Sequence, residues 1–429
     1  MDCLLSDVLA ALSGEAPPTD PRMVAPPPAL RAAPSPRAEG KGVLGESLTW
    51  HVDGAHFTVQ WDTPGVDPAR ADAILAQLEA AWPVLVDEGG WPAPVSSDAW
   101  LLWVILDPDL GGSGYTTVYT TDAYPEGYPV TYLNPSYAPD EPDFTLSVAV
   151  HEFGHMLQYR LRDWQLGSVE SWYWEATSEW VAERAAPTLD TYADSTWWYA
   201  QWPDARFDRI ERFHPYGMLL LDAYLDERVF GLEGVRDTWL AGEGNDTTWD
   251  VLIAGVAGRD FGELVAGMAA EVAAGSLREG ALYDAPVRAA SHDVAPAWAV
   301  IDAPERYGSA FVDIGARGAG LIVEGDVLVG YVADGAVVDE PPDGPYTLVV
   351  TALGEDAGED AGEVAYGVTP PDDTETPEPD PEGCACDAPV RGGATPSLGW
   401  LGGALALVAT RRWSGPRGRR SGPRGRRSG

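Results

Sequence analysis

His151-Glu152-Phe153-Gly154-His155 sets two imidazoles four residues apart with a carboxylate beside the first. Histidine occurs six times in 429 residues, so a third of the total falling in five positions argues against coincidence. On a helix, side chains at i and i+4 share a face about 6 Å apart at Cβ, close enough to grip one metal ion. The adjacent glutamate then sits where it can take a proton from water activated by that ion. A catalytic centre of this kind needs three protein ligands and an open fourth position. Glu175, in Trp172-Tyr173-Trp174-Glu175-Ala176-Thr177-Ser178-Glu179, is the best third ligand, 20 positions beyond His155 with room for a turn and a returning helix. Glu179 shares its helical face and can orient a histidine through the second ring nitrogen. Glu170, Glu183 and Asp163 compete for the third position. Glu175, Glu179 and Glu183 read otherwise as a solvated stripe, against which Trp172, Trp174 and Trp180 argue for a half-buried segment.

The pentad requires a helix. Val148, Val150, Phe153, Met156 and Leu157 supply apolar positions, and no proline interrupts Phe144 to Trp164. Pro142 and Asp143 mark the start, with the aspartate as N-cap. Upstream, His56 to Trp61 alternates like a strand, Ala69 to Asp87 reads as an amphipathic helix, and Trp100 to Leu106 reads as a buried strand. Tyr115 to Thr120 and Val130 to Asn134 read as two strands joined by a turn-rich segment. They are either an ordinary hairpin or one whose edge pairs with an extended peptide. Helical segments follow near 214–229, 247–257 and 260–274. The expected fold class is α/β (α+β), a mixed-sheet N-terminal half and a helical C-terminal half with the metal site between them. His214 and Tyr216, in Phe213-His214-Pro215-Tyr216-Gly217, open a helix beyond the third ligand. They are the donors on offer for a developing oxyanion, and a packed helix-start histidine is an equal reading of His214.

His151-Glu152-x-x-His155 followed by Glu175, Ser178 and Glu179 resembles the gluzincin zinc peptidases of the thermolysin type, whose second motif is Asn-Glu-x-x-Ser-Asp. Trp174 stands here at the asparagine position and Glu179 at the aspartate position. The run from His151 to Gln158 and the Trp-x-x-Glu-Ala-Thr-x-x-Trp run from Trp172 to Trp180 are closer still to secreted metallopeptidase-like proteins of myxobacteria. The Gly-x-Met-Glu-Asn motif of one aminopeptidase branch is absent. The resemblance covers residues 50 to 290, approximately, and implies a zincin-like metallopeptidase domain. It further implies one catalytic Zn2+ on His151, His155 and Glu175, Glu152 as general base, and Glu179 behind a histidine ligand. The implied activity is hydrolysis of peptide bonds in protein or peptide substrates, as an endopeptidase. A non-catalytic, zinc-containing surface binding protein is the alternative. Intact Glu152 speaks for the enzyme, because a structural site has no need of a base.

At 429 residues the chain is long enough for two domains with substantial cores. A net charge of −40 argues against nucleic acid and anionic membrane surfaces as partners of the body. The charge is unevenly spread, since residues 391–429 hold nine Arg and no acid. Cysteines occur only at Cys3, Cys384 and Cys386, so no disulfide can staple residues 4–383. The expected organisation begins with a Pro/Ala/Arg-rich leader or pro-segment, mostly disordered, over 1–47, where Met1 to Leu5 lacks the basic start of a secretory signal. A metallopeptidase domain over 48–290 and a small antiparallel β accessory domain over 291–369 follow. Residues 370–382 form a Pro/acid linker, extended and unfolded. Residues 383–429 combine Gly383-Cys384-Ala385-Cys386, the apolar stretch Ser397 to Thr410, and an Arg-rich repeat at Ser414 and Ser421. That ending resembles the myxobacterial C-terminal sorting tag (MYXO-CTERM). It implies handling by envelope sorting machinery, membrane contact only through the apolar segment as a transmembrane helix, and a protein at the cell surface or outside.

Overall fold

The computed structural model describes residues 42–43, 48–121, 124–162, 169–190, 193–210, 213–244, 246–293, 295–296, 299–316, 321–324, 327–353 and 363–368. Trp100–Leu106 (β4) is apolar throughout because both of its faces are covered. Leu102, Val104 and Leu106 join the main core on the helical side, whereas Leu101, Trp103 and Ile105 meet Tyr119, Tyr128 and Val130 on the other. Alternation along a strand sends successive side chains to opposite faces, so only a fully sandwiched strand reads this way. Around β4 lie Trp50–Asp53 (β2), Phe57–Trp61 (β3), Gly114–Thr121 (β5) and Tyr124–Leu133 (β6), in the order β2-β3-β4-β6-β5. The central pairs β3–β4 and β4–β6 are parallel, and the outer pairs β2–β3 and β5–β6 are antiparallel. Gly42–Val43 (β1), inside the segment read as a leader, adds to β4 in parallel. The hairpin of β5 and β6 puts β5 at the sheet edge, with Thr116 opposite Thr131. Its second strand starts earlier than the turn-rich sequence suggests, because Tyr124 already pairs with Thr121.

Pro68–Trp82 (α1) packs on the sheet through Ala71, Ile74, Leu78 and Ala81, and Asp67 caps it by accepting from the Ala69 N–H at 3.0 Å. The expected helix over 69–87 changes geometry at Pro83. Without an N–H at that position the ladder widens, and Pro83–Glu88 runs on as a π-type turn. Pro142–Gln158 (α2) carries the pentad, and Trp172–Ala185 (α3) carries Glu175 and Glu179. The start of α2 corrects one expectation. Asp143 lies inside the first turn, and Glu141 is the N-cap without a side-chain cap bond. Pro142 takes the first helical position, where its missing N–H leaves no bond unmade.

The helical half continues with Ala193–Gln201 (α4), His214–Gly217 (α5), Leu219–Tyr224 (α6), Leu232–Ala241 (α7), Trp249–Ala257 (α8) and Phe261–Ala274 (α9). The segment expected near 214–229 is thus broken into α5, α6 and a π-type turn over Leu225–Val229, and α4 and α7 add to the expected helices. α9 faces two ways. Leu264, Val265 and Met268 enter the main core, while Ala269 and Ala270 meet Phe311, Val332 and Val349 of a second β region. That region holds two sheets. One orders Leu321–Glu324, Glu363–Val368 and Ala299–Asp302; the other orders Ala336–Val338, Val327–Ala333, Tyr346–Ala352, Ser309–Ile314 and Ala290–His292. The molecule is therefore a mixed α/β structure with mixed and antiparallel sheets. Among the described residues no helix is long and apolar enough to cross a membrane. The apolar stretch Ser397 to Thr410, the linker over 370–382 and the Arg-rich ending lie outside the described residues.

Candidate metal centre

α2 and α3 lie side by side and come close together at Gly154. A Cβ there would stand 2.9 Å from Ser178 Oγ and 3.3 Å from Ser178 Cα. The absent side chain lets the backbones close up, which brings Glu175, about one turn before Ser178, against the histidine face. His151 Nε2 is 3.1 Å from His155 Nε2 and 3.2 Å from Glu175 Oε2. His155 Nε2 is 3.5 Å from Glu175 Oε1. Three ligands about 2.05 Å from a tetrahedral zinc-sized ion stand about 3.3 Å from one another. The observed separations are of that size, with Oε2 of Glu175 nearer His151 and Oε1 nearer His155.

The environment calls for a cation. All three residues are buried, Glu175 completely, and its two oxygens meet the imidazole nitrogens without making a hydrogen bond. A carboxylate taken out of water costs several kcal/mol, on the order of 5, unless a positive charge compensates. The buried His151–His155–Glu175 group can hold a metal ion. Protons compete for the same site. Burial disfavours a charged His155, but Glu175 foremost, together with Glu152 and Gln158, outweighs it and lifts the ring to about 9. Burial pushes Glu175 upward, and the two imidazoles more than reverse this, holding it well below the usual carboxylate range. Metal uptake must therefore displace protons and strengthens as pH rises.

Surrounding groups set the orientation of each ring. His155 Nδ1 is 2.7 Å from Gln158 Oε1, and the Gln158 amide nitrogen donates to the Trp174 carbonyl at 3.0 Å. With its amide turned that way, Gln158 can only accept from the ring, so Nδ1 is the nitrogen that retains its proton and Nε2 the one that would give up its proton to a metal. Ser178 Oγ lies 3.1 Å from the same Nδ1. His151 Nδ1 faces Glu179 Oε1 at 3.6 Å, ion-pair range rather than a hydrogen bond. Burial raises the Glu179 pKa while His151 works against that shift.

Glu152 is fully buried beside the triad. Thr116 on the edge strand β5 donates to its Oε2 at 2.7 Å, and Thr116 Oγ1 is itself 2.6 Å from Thr131 Oγ1. Two strands therefore hold the carboxylate by a hydroxyl chain. Tyr216 stacks on the His151 ring, centroids 5.9 Å apart and planes 21° from parallel. His214 is not part of this group. Its ring packs near Tyr199, and burial, aided by the Arg209 charge and opposed by the Trp202 backbone, holds it neutral with a pKa of about 4. The turn at 213–217 thus delivers Tyr216 to the histidines and His214 to the α4 side.

Two of the three competing carboxylates, Glu170 and Glu183, lie among the described residues. Glu170 Oε2 accepts from the Trp249 N–H at 3.0 Å, Glu183 sits two turns beyond Glu175, and Asp163 lies outside the described residues. Sequence reasoning did not assign roles to Gln158, Gly154 and Thr116. Gln158 had a signal, since i+3 from His155 is helical contact distance. Thr116 had none, because its bond to Glu152 spans 36 residues. No known family model matches the chain, and no curated protein is detectably similar to it.

Proposed function

We propose that this chain is a zincin-like zinc metallopeptidase of the gluzincin type, hydrolysing peptide bonds with Glu152 as general base. The observation that carries the reading is the spacing of two imidazole nitrogens and one carboxylate at 3.1, 3.2 and 3.5 Å, with a second carboxylate buried beside them. Two nitrogen donors and one oxygen suit zinc better than the oxygen-seeking calcium or magnesium. Zinc bound there supplies Lewis-acid polarisation of a carbonyl and acidification of water. Glu152 would serve as the base, accepting a proton from the attacking water on its carboxylate and returning it to the leaving amine. Thr116 limits the freedom of the base by holding Oε2, which favours one approach direction for the proton. Tyr216, against His151, is the neighbouring O–H donor for the oxyanion that develops on the substrate. The edge strand β5 offers main-chain groups to an extended peptide, which gives affinity with little sequence preference. Export to the cell surface by a C-terminal sorting tag, with protein or peptide substrates there and no nucleic-acid partner, is part of the same proposal. The acidic body and the Arg-rich ending support it.

The test compares wild type with Glu152→Gln, zinc content measured in both, on casein and on a broad peptide panel. One zinc in each protein is expected, with chelator-sensitive cleavage by wild type reduced at least about 100-fold in the variant, the usual worth of a general base. Equal zinc in both and no cleavage by either would move the reading to a non-catalytic zinc-containing surface protein.

A further inference from the structure

Three indoles crowd one side of α4 and the turn after it. Trp197 is 39 % exposed, and Trp198 and Trp202 are half-buried, while Ser195, Thr196, Tyr199 and Ala200 of the same helix point into the protein. Trp197 meets Trp198 and Trp202 edge-on, with centroids 4.6 and 5.7 Å apart, and Trp198 stacks on Trp202 at 5.9 Å. A solvent-facing helix side ordinarily carries polar residues, and a cluster of aromatic surface instead marks a binding site. The ring path does not stop at the indoles. Phe213 lies 4.7 Å from Trp198 and 6.0 Å from Tyr216, which in turn stacks on His151. Phe213 reaches that position with φ at +56°, a left-handed conformation that a bulky side chain rarely adopts. Strain of this kind persists where the surroundings enforce it, and it gathers at ligand clamps. Rings therefore run in unbroken contact from solvent at Trp197 to the first histidine of the metal group.

We propose that Trp197, Trp198, Trp202 and Phe213 form a subsite for an aromatic side chain of an extended polypeptide whose main chain passes the His151–His155–Glu175 group. The proposal rests on the hydrolase reading for what happens at the metal, but its binding step stands apart from catalysis. Continuity with the metal group selects a peptide occupant over a glycan stacked on the same rings. An aromatic side chain stacked in such an array strengthens binding about tenfold over a methyl group.

The test uses full-length, zinc-loaded Glu152→Gln protein, so that peptides survive, with calorimetry and tryptophan fluorescence as readouts. The probes are acetyl-Ala-Ala-Phe-Ala-Ala-amide, its all-alanine counterpart, and cellohexaose. The phenylalanine peptide is expected to bind about tenfold tighter than the alanine peptide. Adding Trp198→Ala or Trp202→Ala should abolish the difference, Trp198→Phe should keep most of it, and Leu282→Ser, at an exposed apolar residue elsewhere, should leave it intact. Should the half-buried indoles prove necessary for folding, the exposed Trp197→Ala provides the same comparison. Equal binding of the two peptides overturns the proposal. So does an unchanged preference in a folded Trp198→Ala protein, or tryptophan-dependent binding of cellohexaose alone. Tryptophan-dependent peptide binding without any cleavage by wild type would sink the hydrolase reading and leave the subsite standing. Cleavage by wild type with no aromatic preference in binding would do the reverse.

Discussion

Gly154→Ala isolates the contact that sets the ligand spacing. By helix propensity alone alanine should stabilise α2 by about 1 kcal/mol. The new methyl, however, would start 2.9 Å from Ser178 Oγ and 3.3 Å from Ser178 Cα and Cβ. Turning the hydroxyl away relieves only the first clash and gives up its 3.1 Å contact with His155 Nδ1, a loss of about 1 kcal/mol. The backbone contact remains, and crowding of this size costs about 1–3 kcal/mol. The unfavourable effects win, for a net loss of about 1–3 kcal/mol. The more diagnostic consequence is at the metal. Relieving the clash by a few tenths of an ångström shifts α3, and Glu175 with it, by more than the roughly 0.2 Å that metal–ligand distances tolerate. Zinc affinity should fall about tenfold or more, the size seen when the supports of metal ligands are disturbed. Guanidinium unfolding with and without zinc, together with competition against a chelating dye, measures both quantities. A variant about 1 kcal/mol more stable than wild type with unchanged zinc affinity would refute the claim that this helix contact positions Glu175.

Two further outcomes follow from groups behind the site. Gln158→Leu removes the acceptor that fixes the His155 tautomer and should weaken zinc binding about 10–100-fold with little change in helix content; unchanged affinity would show that Ser178 suffices. Asp222 is wholly buried beneath α3, where it accepts from Tyr173 at 2.9 Å and from Thr177 at 3.1 Å. Burial, only partly offset by these two hydroxyls, lifts its pKa from 3.8 to about 7. The folded state thus retains a proton between about pH 4 and 7 that the unfolded chain has released, so this group's contribution is full below pH 4 and is lost as pH rises through 7. Three pKa units correspond to about 4 kcal/mol as an upper bound. Asp222→Asn should flatten that slope, making the variant relatively more stable at pH 8 than at pH 5. Parallel melting profiles for the two proteins across this range would disprove the assignment.

Much of the site was legible in the sequence because it is local. His151 and His155 share a helix face by their four-residue spacing, and Glu175 and Glu179 do so on the returning helix. The strands β3 and β4 announced themselves by alternation and by an unbroken apolar run. Contacts between distant segments had no such signature. Thr116 meets Glu152 because the β5–β6 hairpin lies under α2, and nothing in Thr116-Thr117-Val118 distinguishes one threonine from the next. His214 and Tyr216 looked equivalent, being two residues apart. A left-handed Phe213 and the turn behind it decided that Tyr216 faces His151 and His214 faces Tyr199. The residues Trp197, Trp198 and Trp202 are conspicuous as letters, but ring contact with Tyr216 through Phe213 is a property of the folded chain. Side-chain chemistry and helical spacing thus determined the paired imidazoles, the carboxylate beside them and the address of Glu175. The spacing of these side chains was decided by the approach of α2 to α3 at Gly154, and the aromatic path by the turn at Phe213, because both depend on packing between elements that sequence periodicity does not encode.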